Sequence, residues 1–434
     1  MHRSSGFERY TLCMTHIQTR LARMLLVLIA LGFFVSAVNA GPTKDQWRSD
    51  IDTLAENLLE RHPNFFTKHT VEEFEDAIDD LAQRIDTLED AQIIIELGRL
   101  VALGGDPHTG IELSTYAKTM HRLPIQVIVL SDGVFISAAT TPYKELVGTQ
   151  ILKFGNTDAL DAFNRIGALF AYENHSRLIN AGSSYITLVP ALEAVGLANA
   201  FDADTFGLTI EDGQTKRTIT LDCTIPKTRP QWVSFAQNFK DGMPLMYRKS
   251  RGNYQTEFLQ DSGIMYLAYN KCEDAEDFPM KLLSTFIIQK SDEFDARRLV
   301  IDLRFNGGGD ETVLWTLMDQ LEKNDRFKGK GDIVALISRY TFSSAMTNAH
   351  QLKERLGAVL IGEPTGGKPN HFGQLNSFIL PNSGLTVSHS TQWFQKVKDD
   401  PDAVHPDVLI EVGSADFFTG HDPVLEAAKN YTPD

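Results

Sequence analysis

The sequence predicts an α/β protein: a mostly parallel sheet covered by helices, with a helical segment and a small β-rich segment ahead of it. Three observations lead there. From about residue 255 onward, apolar runs of strand length alternate with stretches of helix length, the pattern of parallel strands joined by helices. Residues 44–105 carry apolar side chains at helical spacing. Between about 122 and 225, short runs alternate apolar and polar residues, as half-buried strands do. With 434 residues, 42% apolar and 23% charged, the chain has a globular composition and the length of two or three domains.

Residues 1–40 lie ahead of the fold and read as a secretory signal. Arg20 and Arg23 precede the apolar run 24–35, and Ser36-Ala37-Val38-Asn39-Ala40 puts small residues at a cleavage point, with Met14 and Met24 as alternative starts. The run is shorter than the roughly 20 residues of a membrane span, and no Cys follows it to carry a lipid. Export, to the periplasm or beyond the cell, is the expectation. The chain sets 41 Lys and Arg against 57 Asp and Glu, a net charge of −16, which argues against nucleic acid as a partner. Three cysteines, at 13, 223 and 272, are too few for a Cys-rich zinc module or a disulfide framework. Cys223 and Cys272 either pair or stay free.

Residues 41–115 form the helical segment. Trp47, Ile51, Leu54 and Leu58 mark one helix, broken at His62-Pro63-Asn64. Thr70 and Glu73 make a capping box for a second, with Phe74, Ile78, Leu81 and Ile85 on its buried face. A third, near 91–103, ends at Gly104-Gly105, and the polar turn Asp106-Pro107-His108-Thr109-Gly110 runs into a short strand. Residues 116–228 predict strands over 125–130, 134–138, 149–154, 206–210 and 218–222, with a helical insertion near 158–200. The pieces 134–137 and 146–152 resemble a degenerate PDZ-like module. Residues 229–434 predict strands over 264–269, 298–304, 333–338 and 358–362, alternating with helices over 275–290, 312–322 and 344–355.

Ligands of such sheets meet the loops at the carboxyl ends of the strands, and three of those loops stand out. The first carries Asp302, Arg304, Asn306 and three consecutive glycines, Gly307, Gly308 and Gly309. Glycines let the backbone approach a ligand and present free N–H groups, so it reads as a cradle for an oxyanion or phosphate, or else as a tight turn. The second, Arg339-Tyr340-Thr341-Phe342-Ser343-Ser344-Ala345, brings a serine to a helix entrance. There it is either an N-cap or a group placed where developing negative charge is favoured. The third, Gly362-Glu363-Pro364-Thr365-Gly366-Gly367-Lys368-Pro369, nearly matches a P-loop. Pro369 stands where a Ser or Thr must hold Mg²⁺ and start a helix, so nucleotide hydrolysis is not expected. The zincin HExxH and the hydrolase GxSxG patterns are absent. His371, His389 and His405 default to structural or solvated roles.

Taken together, the loops resemble the C-terminal-processing (tail-specific) serine peptidase family, particularly its tricorn-like branch. The resemblance rests on Leu299 to Gly309, on Thr341-Phe342-Ser343-Ser344-Ala345, on Gly362 to Gly367 and on Asp422-Pro423-Val424-Leu425 with the residues after it, in that order. The helical segment closing on Asp106-Pro107-His108-Thr109 fits the tricorn-like pattern too. The family implies a crotonase/ClpP-like β/α core and hydrolysis of peptide or protein substrates without metal or cofactor.

By position, the resemblance makes Ser343 the nucleophile. It puts the oxyanion hole at the Ser344 N–H and a glycine N–H, Gly308 first and Gly309 next. A hydroxyl attacks only with a partner to take its proton. The tail-specific branch implies a lysine base, here Lys368, and the tricorn-like branch a histidine, here His108. The Asp-x-His-Thr turn and the helical front end favour His108, leaving Lys368 as a substrate-carboxylate or structural contact. Asp106 and Asp400 are the candidate orienting acids, with Asp402 in the same stretch. Met346 departs from the family, where many members carry Glu. Two other classes stay open: a non-catalytic binder of lipid or peptide on the same core, as in the retinoid-binding relatives, and an envelope scaffold recruiting a partner through 44–105.

Overall fold

The computed structural model describes residues 41–198, 204–213, 215–225, 228–239, 243–248 and 252–433; the expected signal, 1–40, lies outside them. Helices α1 (Lys44–Arg61), α2 (Val71–Arg84) and α3 (Asp90–Ala102) come first. The apolar spacing becomes their buried stripe, with Trp47, Ile51, Leu54, Leu58, Phe74 and Leu81 all enclosed. Burying one such side chain fully contributes roughly 1.5–3 kcal/mol. Capping boxes start all three, Thr43 with Gln46, Thr70 with Glu73 and Glu89 with Gln92. α1 stops where His62 turns extended, because the residue before a proline avoids the helical region.

After β1 (Gly110–Ile111), strands β2 (Ile125–Leu130), β3 (Gly133–Thr140), β4 (Gln150–Phe154) and β5 (Thr157–Asp158) follow. Helices α4 (Ala159–Ile166), α5 (His175–Tyr185) and α6 (Val189–Ala194) are then inserted before β6 (Thr205–Asp212), β7 (Thr215–Asp222) and β8 (Trp232–Ser234). The strands form an antiparallel sheet ordered β2-β3-β4-β6-β7, with β5 on β4 and β8 on β3.

The third part alternates as expected: β9 (Tyr254–Leu259), β10 (Ile264–Tyr269), α7 (Met280–Glu293), β11 (Arg298–Asp302), α8 (Thr312–Leu321), β12 (Ile333–Ile337), α9 (Ser344–Leu356) and β13 (Val359–Gly362). Next come β14 (His371–Ile379), β15 (Thr386–Phe394), β16 (Val408–Leu409), α10 (Ser414–Thr419) and α11 (Pro423–Asn430). The main sheet runs β16-β13-β12-β11-β10-β9, parallel except at β9. Successive side chains of a strand point to opposite faces. Leu299, Ile301, Ile333 and Ala335 therefore pack under α7, α8 and α9, while Val300, Val334 and Leu336 pack against Val424 and Leu425 of α11.

Two expectations are corrected. The helix expected over 275–290 begins at Met280 because Pro279 sits at its N-cap and bars Phe278 from helical geometry; the Asp274 carboxylate accepts the Met280 N–H at 2.6 Å. The strand expected over 298–304 ends at Asp302, whose side chain turns the chain by accepting the Arg304 N–H. The β14–β15 hairpin was not foreseen. It joins β1 in a third sheet and buries Phe378, Leu380, Leu385 and Val387 in the same core as α1, α3 and β2. Cys223 and Cys272 lie buried in different cores and do not pair with each other.

Candidate active site

The loops after β11, β12 and β13 are bound to one another by side chains of their own motifs. Arg304 places its guanidinium on Asp302 at 2.6 Å and on Asp422 at 2.8 Å, with all three side chains almost enclosed. Burial opposes the guanidinium's charge, but the two carboxylates outweigh it and hold its pKa well above the ordinary value. The Asp422 motif is thus the anchor of the glycine loop. Arg339 likewise grips Glu363 with Nε at 3.0 Å, joining the second loop to the third. Thr341 Oγ1 donates to Leu303 O at 2.9 Å, the Phe342 N–H to Asn306 O at 3.0 Å, and the Gly366 N–H to Thr341 O at 2.9 Å. The glycines of the P-loop-like stretch serve this packing: a Cβ on Gly366 would stand 2.4 Å from Arg339 O.

Ser343 sits at the N-cap of α9 with φ 52° and ψ −129°, and its side chain caps nothing. The N-cap alternative fails on that geometry. Positive φ is strained for a residue with a Cβ, and such strain collects at functional sites. Against it lies Gly308, φ 109°, where a Cβ would come within 2.7 Å of Ser343 Cβ. The two glycines differ in what their N–H groups do. Gly308 donates to Asn306 Oδ1 at 2.9 Å, so the donor ranked first from sequence is already engaged. Among the described residues the N–H groups of Gly309 and Ser344 have no acceptor, and Ser344 opens α9, at the positive end of its dipole.

His108 follows α3 on the turn. Its ring is almost fully enclosed, 4.4 Å from the Phe342 ring and 5.3 Å from that of His371, nearly parallel to both. Neither ring nitrogen has a hydrogen-bond partner among the described residues. Asp106 Oδ1 lies 3.7 Å from His108 Nδ1, beyond hydrogen-bond reach, and accepts the His108 main-chain N–H at 3.0 Å. Asp106 Oδ2 takes Thr109 Oγ1 and Ser390 Oγ at 2.6 Å each and His62 Nε2 at 3.1 Å. Burial alone would raise this carboxyl, but His108, His62 and Ser390 outweigh it and hold it far below the usual range. His108, Ser343, Ser344 and Gly309 line one cavity of about 700 Å³ with Phe342, His371 and Phe394, a size that suits a ligand site.

Lys368 does not line that cavity. Its ammonium pairs with Asp400, and it faces a second cavity of about 660 Å³ with Lys68, Asp106 and Glu173. The pairing also takes Asp400 away from His108, and Asp402 pairs with His405 at the surface. Asp106 is the carboxylate beside the imidazole. At the position where many family members carry Glu, Met346 is buried in the core.

Four side chains beside these cavities were given no site role from the sequence. His371 stacks on His108, and burial together with the charge of His108 pushes it down to about 4. Lys396 pairs with Glu311 at 2.7 Å on the Ser343 cavity. Glu173 accepts the Lys368 N–H at 3.1 Å; burial, reinforced by Asp106, pushes it up to about 7. Arg177 of α5 lies 4.1 Å over the Phe342 ring. Its helix is bound to the loops after β12 and β13 by Asn174 on Thr365 O, Ser176 on Pro364 O and Asn180 on Arg339 O. Only the hairpin carrying His371 left a signal, Pro381-Asn382-Ser383-Gly384 between β-type runs.

Compared with solved structures, the chain is similar to mature CPAF complexed with lactacystin: 15% identity over 88% of this chain and 98% of that one, TM-score 0.59. A second structure of mature CPAF matches at 14% identity over 88% and 97%, TM-score 0.57. The fold is that of mature CPAF. The photosystem II D1 C-terminal processing protease is matched more loosely, at 13% identity over 84% and 93% and TM-score 0.39. No family model matches the chain, and no curated protein does. The described residues contain no group of three or more His, Cys, Asp or Glu placed to hold a metal, and no helix long and apolar enough to cross a membrane.

Proposed function

We propose that the protein is an exported serine peptidase in which Ser343 attacks a peptide carbonyl and His108 is the general base. One observation carries this reading: Ser343 is held at positive φ without capping its helix, in the same cavity as the unpartnered imidazole of His108. As the Oγ–carbon bond forms, the hydroxyl proton passes to the imidazole nitrogen turned away from Asp106. The charge developing on the carbonyl oxygen is received by the N–H groups of Ser344 and Gly309. His108 then gives the proton to the amide nitrogen as the carbon–nitrogen bond breaks, and a water repeats the sequence on the acyl-enzyme. Histidine's ordinary pKa suits this task, whereas Lys368 would have to leave a carboxylate and lose its proton.

The remaining expectations belong to the same proposal. Residues 41–115 are a helical domain, 116–228 a PDZ-like segment and 229–434 a crotonase/ClpP-like core. The test is fluorophosphonate labelling of the purified protein, read by mass spectrometry. An adduct at Ser343, lost in Ser343→Ala and His108→Ala and kept in Lys368→Ala, is expected. Loss in Lys368→Ala alone would transfer the base to that lysine, and no adduct at all would leave the ligand-binding reading standing.

A further inference from the structure

We infer that the open edge of β14 is a seat for an extended peptide, which joins the β1-β15-β14 sheet as a further strand to reach Ser343. The inference rests on the peptidase reading for its occupant, and on the strand itself for the binding mode. β14 is the end strand of its sheet. Leu380 donates its N–H to Leu385 O at the hairpin end, and Glu112 donates to Thr386 O across the opposite edge of β15. With the register Phe378↔Val387 and Asn376↔His389, antiparallel alternation turns the main chain of Asn376 and Phe378 toward β15. It leaves the N–H and C=O groups of Leu375, Ser377 and Ile379 on the open side. Among the described residues the Ser377 N–H reaches only the neighbouring Asn376 Oδ1, at 2.8 Å.

Edges of this kind are normally guarded by Lys, Pro, inward charges or a covering element. β14 contains no Lys, Asp, Glu, Arg or Pro, and Leu375 and Ile379 stand 58% and 67% exposed. The strand also leads into the site: Gly373, Gln374 and Leu375 line the Ser343 cavity. At that mouth Gln374 takes φ 58° and its carbonyl accepts Thr391 Oγ1 at 2.5 Å, so the strand bends where it meets the cavity. A chain laid on this edge is held by its own backbone, independent of sequence, and every second side chain falls on the Leu375 and Ile379 face. The fitting substrate is an extended segment with apolar residues at alternate positions, not a folded terminus.

Binding is measured separately from cleavage on the Ser343→Ala protein. The probe is a fluorescein-labelled octapeptide of alternating Leu and Ser flanked by lysines, unmodified or N-methylated at one of the two alternating sets of amides. Methylation of one set should weaken binding at least tenfold and of the other less than twofold, because only alternate amides face β14. Ser377→Pro, and independently the surface change Ile379→Lys, should weaken the unmodified peptide by a similar factor. Equal effects of both methylated sets, or unchanged affinity in both variants, would overturn the inference. So would a change from dimer to monomer in sedimentation with affinity unmoved, which makes the edge a seam between copies. Failure of Ser343 labelling would refute the peptidase reading without touching this result.

Discussion

Glu173→Gln is expected to stabilise the protein at pH 8 and to leave it nearly unchanged near pH 4.5. In the fold this carboxyl is pushed up to about 7, first by burial and then by the Asp106 charge, against the opposing Lys368 N–H. In the unfolded chain it titrates near its ordinary value, about 4.3. Between those values the folded state keeps a proton that the unfolded state has released, so stability falls as pH rises through the window. A gap of roughly 2.5 units at 1.36 kcal/mol each sets the full penalty at about 3 kcal/mol above pH 7. Glutamine does not titrate and still offers an oxygen to the Lys368 N–H. Urea unfolding of both proteins at pH 4.5 and pH 8 measures the effect as a difference of differences, in which titrating groups not coupled to Glu173 cancel. The same shift in midpoint at both pH values, or a loss of stability at pH 8, would refute the reasoning.

Two further outcomes follow from the same geometry. Gly308→Ala forces a side chain onto φ 109° and within 2.7 Å of Ser343 Cβ. The rate of fluorophosphonate labelling should drop by about 10²-fold, the scale of misplacing a reacting group by about 1 Å, and an unchanged rate would dismiss the contact. Asp106→Asn removes the charge that faces His62 and His108, at a cost of about 3 kcal/mol near neutral pH. Because the folded carboxyl lies far below its unfolded value, its contribution is present above about pH 4 and is lost on acidification. Unfolding midpoints of wild type and variant should therefore converge below that pH.

The elements legible in the sequence were those whose signal is local. The stripe of Trp47, Ile51, Leu54 and Leu58 and the box at Thr70 specify α1 and α2 within a turn or two of chain. The apolar runs of β11 and β12 are buried on both faces, and Pro279 moved one helix start because its constraint on Phe278 outweighs the apolar spacing. The β14–β15 hairpin was missed although its turn is ordinary, since its strands mix buried and exposed residues without clean alternation.

For the site, the sequence by itself singled out the candidate loops: three glycines after a buried strand, a serine at a helix entrance, and a His-bearing turn more than two hundred residues upstream. Only the tertiary structure decided which of them meet. His108 enters the Ser343 cavity and Lys368 is drawn to Asp400. The Gly308 N–H is engaged by Asn306, and Glu173 and His371 acquire shifted protonation from neighbours that the chain brings together across roughly 65 to 265 residues. The reason is physical. Caps and helical stripes act over one to four residues of backbone, whereas proton affinity and free N–H groups depend on burial and on partners that exist only once distant segments have packed.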